Sequence, residues 1–243
     1  MTTIKHLVLV IGARGGIAQA LCKQLLECES THVVAISRGP QPNDLIHSRL
    51  QWITCDHQVE QIANIISDIK QRGLPIAKVF ICTGLLHQGD IQPEKKIEQF
   101  NEAQFTELMK VNVVVPTLWV QHLIDACKGK HQCAITCFSA RVGSISDNRL
   151  GGWYSYRMTK AALNMMVKSA AVEYARRAKN VKLVAFHPGT TDTALSKPFQ
   201  ANVPEGKLFT PQFVASQLLT IIDEIEYDNQ ASFIDWQGKS VKW

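Results

Sequence analysis

The stretch "GGWYSYRMTKAAL", residues 151–163, holds two tyrosines and a lysine whose spacing has chemical meaning. Lys160 lies four residues after Tyr156 and six after Tyr154. The residues that follow, among them Leu163, Met166, Val167, Ala170 and Ala171, predict a helix. On a helix, positions i and i+4 stand one above the other, whereas i and i+6 do not. Tyr156 therefore shares a face with Lys160 and Tyr154 does not. A phenol beside an ammonium is a candidate proton donor. Free tyrosine titrates near ~10, and a shift of ~3 units downward corresponds to about 4 kcal/mol of preference for the phenolate. The cation one turn away and the first turn of the helix both push in that direction. Such a pair also occurs on ordinary surface helices, so the rest of the chain has to decide.

A second chemical feature lies near the start. "VLVIGARGGIAQAL" sets Gly12, Gly15 and Gly16 between an apolar run, Leu7–Ile11, and a helical pattern. Glycines there permit a tight turn and close backbone approach to a pyrophosphate seated on the helix N-terminus. The spacing, Gly12-x-x-x-Gly16-x-Ala18, differs from G-x-G-x-x-G. The next apolar run ends in Ser37-Arg38. The acid that would read a ribose 2′-hydroxyl is absent there, and the guanidiniums of Arg38 and Arg14 suit a 2′-phosphate. This predicts NADP, with NAD the less favoured cofactor. The alternatives are a plain structural turn and an Arg38 that only solvates it.

Apolar runs alternate with helical patterns along the chain, and these elements must position the two features. Strands are expected at Leu7–Ile11, His32–Ile36, Leu50–Thr54, Val79–Cys82, Cys133–Phe138, Val181–Phe186 and Ala231–Asp235. Helices are expected at 16–28, 58–71, 101–114, 117–128, 154–178 and 211–225, with a break near Pro116. The short strands are apolar on both faces, as in a buried parallel sheet. The fold class is therefore α/β: a single-domain Rossmann fold, residues 1–243, with a doubly wound parallel sheet of about seven strands. The irregular stretches 84–98 and 190–210 follow strand ends, where such sheets bind ligands.

Composition narrows the function classes. The 243 residues are 46% hydrophobic and 19% charged, enough for a sizeable core. The net charge of +5 is scattered, and "YARRAK" at 174–179 has no interleaved aromatics, so no nucleic-acid partner is expected. Seven cysteines without a C-x-x-C argue against a disulfide framework or a metal site and favour a reducing, cytoplasmic location. No apolar run approaches the ~18 residues of a membrane span.

Taken together, the Gly12-x-x-x-Gly16 loop, Tyr156-x-x-x-Lys160, Asn112 in "KVNVVVP" and Pro188-Gly189 resemble the short-chain dehydrogenase/reductase family over essentially the whole chain. "SARVGSISDNRLGGWYSYRMTKAALN" and "FIDWQGKSVKW" look most like the C-factor-type and sniffer-type carbonyl reductases. The resemblance implies that Tyr156 is the general acid, that Lys160 binds the nicotinamide ribose and lowers the tyrosine's pKa, and that Asn112 holds a water in a proton relay. It implies further cofactor contacts from Gly12, Arg14, Gly16, Ile17, Ser37, Arg38, Asp56, Gly84, Pro188, Gly189 and Thr193, with Asp56 at the adenine. Three positions depart from the family. Ile81-Cys82-Thr83-Gly84 stands where Asn-Asn-Ala-Gly is usual, Ala18 replaces the third glycine, and Ser139-Ala140 replaces Ser-Ser. Ser139 is the expected catalytic serine, with Ser144 and Ser146 nearby.

The function expected is hydride transfer between NADP(H) and a small-molecule carbonyl or secondary alcohol. The alternative is a nucleotide-binding signalling or regulatory protein that has lost turnover. Leu195, Phe199, Val203, Leu208 and Phe209, with Trp153, are expected to form an apolar substrate wall. Apolar faces on the helices at 101–128 and 154–178 predict a homodimer or homotetramer.

Overall fold

A computed structural model describes residues 4–243. Seven strands form one wholly parallel sheet in the order β3-β2-β1-β4-β5-β6-β9. The strands are β1 (His6–Ile11), β2 (Thr31–Ser37), β3 (Leu50–Thr54), β4 (Ile76–Ile81), β5 (Cys133–Phe138), β6 (Val181–His187) and β9 (Ser232–Asp235). Their continuous apolar character follows from burial on both faces: Leu7, Leu9 and Ile11 of β1 pack into one core, Val8 and Val10 into the other. Helices α2 (Val59–Gln71), α4 (Val115–Cys127) and α5 (Tyr154–Arg177) cover the first core, and α1 (Gly16–Leu25) and α6 (Pro211–Asp223) cover the second. The doubly wound sheet expected from the strand–helix alternation is present.

Strand order reverses between β1 and β4, the place where such sheets open a crevice beyond the strand ends. The glycine turn follows β1, and Thr83-Gly84 follows β4. The stretch 190–210 is more ordered than its composition predicts. Thr190–Thr191 (β7) pairs with Leu208–Phe209 (β8), and a short 3₁₀ turn spans Lys197–Asn202 between them.

The expected break at Pro116 is not there. The helix Glu102–Met109 (α3) runs into α4 through one wide π turn, Lys110–Val114. Pro116 lies just past that turn, and the N–H it lacks is the one that would have bonded the Asn112 carbonyl in an unbroken α-helix. The irregularity centres instead on the fully buried Asn112. The helix expected over 16–28 ends at Leu25, because Leu26 and Glu27 close it with backbone bonds to Cys22 and Gln24.

Candidate active site

A cleft of about 560 Å³ opens beyond the ends of β1, β4, β5 and β6. At one end lies the glycine turn. Gly12 has φ +80°, a conformation other residues rarely adopt, and a β-carbon there would stand 2.9 Å from the Thr83 backbone nitrogen. Gly15 caps α1 without any side-chain hydrogen bond, so the helix N-terminus is open to an anion. Gly16 and Ile17 line the cleft beside it, and the methyl of Thr193 packs on Gly16. The side chain of Arg14 lies across Gly39, where a β-carbon would collide with the guanidinium. Arg38 is exposed at the end of β2, close enough to His57 to lower its pKa, after burial, to about 4. Ser37 is buried at the strand end and Asp56 is exposed after β3. Ser37, Arg38 and Asp56 stand beyond the cleft proper, where the adenosine half of a dinucleotide would lie, while Arg14 lines it. The residues present fit such a group: an open helix N-terminus, glycines at 12, 15 and 16, and the guanidiniums of Arg14 at the cleft and Arg38 beyond it.

At the other end stand Tyr156 and Lys160 of α5, both lining the cleft. Lys160 Nζ lies 5.6 Å from the Tyr156 ring centroid, and Tyr154 does not line the cleft. Lys160 donates to the Phe138 carbonyl at 2.8 Å. A β-carbon built at Gly84 would stand 3.6 Å from Lys160 Nζ and 3.8 Å from Asn112 Oδ1, so these three positions converge.

The electrostatics differ from the expectation of a lowered tyrosine pKa. Burial raises the Tyr156 hydroxyl above its usual value and lowers Lys160 to about 8, with Cys137 partly offsetting the lysine's shift. Desolvation penalises both charged forms, and at this separation the ammonium does not outweigh it for the phenol.

Asn112 lies behind the cleft wall rather than in it. Its side chain accepts from the Leu85 N–H at 2.7 Å and donates to the Leu85 carbonyl and to Thr159 Oγ1. Both amide hydrogens and one lone pair of the amide oxygen are thus occupied in holding the loop after β4 against α5. Of the three serines, Ser139 is the one at the cleft, and its hydroxyl donates to Asn164 Oδ1 at 2.6 Å. Ser144 is buried and accepts from the Asp147 N–H, while Ser146 donates to the Trp243 carbonyl. Ala140 also lines the cleft. Pro188 and Gly189 form its wall after β6.

Two features go beyond the residue pattern. The first is His87: the rings run from Tyr156 through the expected Trp153 (centroids 6.2 Å) and Phe199 (5.0 Å) to this histidine (5.5 Å). Nε2 of His87 faces the carbonyls of Ala194 and Leu195 at 3.2 and 3.1 Å, so that nitrogen is the protonated one. Among the expected apolar residues, Leu195 and Phe199 line the cleft, whereas Val203, Leu208 and Phe209 do not. The second feature is Glu94, a buried carboxylate at the start of α5. Its partners lie more than 55 residues along the chain, so no local pattern marks it.

Known proteins place this architecture. A benzil reductase ((S)-benzoin forming) of Bacillus cereus is 28% identical, covering 90% of this chain and 95% of its own. C-signal of Myxococcus xanthus is 36% identical over 105 residues, covering 43% of this chain and 58% of its own. The NADPH-bound carbonyl reductase from chicken fatty liver superposes with a TM-score of 0.79 at 21% identity, covering all of both chains. The family model for short chain dehydrogenases matches residues 6–204. With the parallel sheet, the glycine turn and the tyrosine–lysine pair in one cleft, the chain belongs to the short chain dehydrogenase family of oxidoreductases.

Proposed function

We propose that the protein is an NADP(H)-dependent carbonyl reductase acting on flat, largely apolar carbonyl compounds. The observation that carries this reading is the cleft itself. One wall is an open helix N-terminus beside a glycine turn, and the opposite wall presents Tyr156 and Lys160 from one face of α5. The dinucleotide, when bound, supplies the hydride. Gly12, Gly16 and Ile17 give its phosphates a close backbone approach, and Arg14 and Arg38 meet a 2′-phosphate. Pro188, Gly189 and Thr193 flank the nicotinamide end.

Tyr156 holds the proton that passes to the carbonyl oxygen as the carbonyl carbon gains the hydride, giving a secondary alcohol. Its raised pKa keeps the hydroxyl protonated until that step, as a reducing direction requires. Lys160 would hold the nicotinamide ribose, and its positive charge, 5.6 Å from the Tyr156 ring centroid, favours the phenolate left behind. Ser139 stands at the cleft wall and would support the carbonyl oxygen by turning its one hydroxyl proton from Asn164 Oδ1 to the substrate, and Asn112 fixes the loop that carries Gly84. Trp153, Phe199 and His87 offer ring faces to a planar substrate. A benzil reductase among the relatives supports the same substrate class. Exposed Val114, Met158, Met165 and Val172 are the apolar surfaces through which two or four copies would pair. Seven free cysteines suit the reducing cytoplasm.

The test is oxidation of NADPH and NADH with a panel of diaryl diketones, aryl alkyl ketones and aliphatic ketones. Turnover is expected with NADPH and the aromatic members. Tight NADPH binding without turnover on any member would instead identify a nucleotide-binding module that has lost catalysis.

A further inference from the structure

The start of α5 has an unusual construction. Gly151, Gly152 and Trp153 all have positive φ, at 64°, 64° and 52°. Trp153 occupies the N-cap position, but its side chain makes no capping bond. A helix whose N-cap is a tryptophan in the left-handed region has neither the usual side-chain cap nor a relaxed entry. Something else must hold it.

That role falls to Glu94, on the loop between β4 and α3. Its backbone carbonyl accepts the Trp153 N–H at 2.6 Å. Its carboxylate accepts the Ser155 N–H, at 3.3 and 3.2 Å to the two oxygens, and also the Ser155 hydroxyl. The carboxylate is only 6% exposed. An anion is stabilised at that spot because the free N–H groups and the helix dipole converge on it. Arg157 secures the outside of the same turn by donating to the carbonyls of Gly151 and Gly152. The cap therefore comes from a residue 61 positions before Ser155, and it holds two points of the turn that leads into Tyr156: Trp153 on the substrate wall and Ser155 immediately before the tyrosine.

We infer that Glu94 is a positioning residue for the reaction, fixing the height and rotation of Tyr156 and the plane of Trp153 against the substrate carbonyl. This rests on the reading of Tyr156 as proton donor. Glu94's hydrogen bonds go to Trp153 and Ser155, and none of them reaches the glycine turn, Arg14 or Arg38, which would hold the phosphates. Its loss should therefore separate chemistry from cofactor binding.

The experiment compares Glu94→Ala, Glu94→Gln, Ser155→Ala and the Glu94→Ala/Ser155→Ala pair with wild type, measuring kcat, KM for an aryl ketone and Kd for NADPH. For Glu94→Ala we expect kcat to fall between about tenfold and a hundredfold, the scale on which small misplacements act. KM should rise through Trp153, and Kd for NADPH should stay within about twofold. Glu94→Gln, which keeps one acceptor oxygen, should recover part of kcat. The double variant should lose less than the product of the single losses, because both remove one contact. If Glu94→Ala fails to fold, as loss of its cooperative urea transition would reveal, Ser155→Ala and Glu94→Gln decide: a wild-type kcat in both overturns the inference. Equal losses in kcat and NADPH affinity would also overturn it, by showing a general structural role. Tyr156→Phe serves as the reference. If it is fully active the proton-donor reading fails; if it is inactive while Glu94→Ala is unaffected, only the positioning role fails.

Discussion

Lys160 gives its hydrogen bond to the carbonyl of Phe138, 2.8 Å away, and not to Tyr156, whose ring centroid lies 5.6 Å from the ammonium. The lysine is thus tied to the end of β5 and held deep in the protein, which is why burial draws its pKa from 10.5 to about 8.

That shift has a signature in stability. Between about 8 and 10.5 the unfolded chain binds more protons at this group than the folded one, so the group's contribution rises with pH across that window. The full range is on the order of 3 kcal/mol, and below about pH 8 the entire penalty of the buried ammonium is present. Tyr156 and the buried cysteines, raised by burial, slope the opposite way. The quantity to measure is therefore a difference. In urea titrations of wild type and Lys160→Met without cofactor, wild type should gain relative to the variant from pH 8 upward. Parallel curves would contradict the assignment.

Tyr156→Phe should lower kcat by about 10²–10⁴-fold while NADPH still binds, since the phenol does not hold the phosphates. Tyr154→Phe should keep most activity, because Tyr154 lies outside the cleft. Steady-state kinetics of both variants on one accepted ketone decide. An inactive Tyr154→Phe beside an active Tyr156→Phe would refute the helical-face argument.

Arg14→Ala and Arg38→Ala should each weaken NADPH by roughly ten- to a hundredfold, the scale of a lost charge-assisted hydrogen bond. NADH affinity should change little. Titration of both cofactors against both variants tests this, and equal Kd values for NADPH and NADH in wild type would remove its basis.

Phe199→Ala should raise KM for an aryl ketone by about two- to tenfold, the size of one aromatic pairing. KM for a small aliphatic ketone should move little. An equal rise for both substrates would show that Phe199 only packs the loop.

The legibility of the sequence had a physical limit. The sheet was readable because each strand is buried on both faces, so Leu7–Ile11 or Cys133–Phe138 carries its signal in consecutive residues. The pair Tyr156 and Lys160 was readable because one helix sets their relation. Glu94 was not, since its partners Trp153 and Ser155 come from a distant part of the chain. The pairing of Thr190–Thr191 with Leu208–Phe209 was too short to leave a pattern. Pro116 reads as a break between two helices, whereas the rod continues through a wide turn centred on Asn112, four residues before the proline, where a long-range contact with Leu85 that no local pattern marks accompanies the distortion.

The wide turn at Lys110–Val114 can be seen as a single extra residue lodged in an otherwise continuous helical rod. Elsewhere in α4, deleting one residue would swing the flanking turns by about 100° and carry Trp119 or Leu123 off the core. Within the wide turn, the same deletion lets the rod close into ordinary α-helix with both halves keeping their orientation. Along this rod, the wide turn is thus a place where a frame-preserving loss of a codon is absorbed by the backbone. The damage would be local, falling on Asn112's hold on Leu85 and, through it, on the loop that frames the cleft.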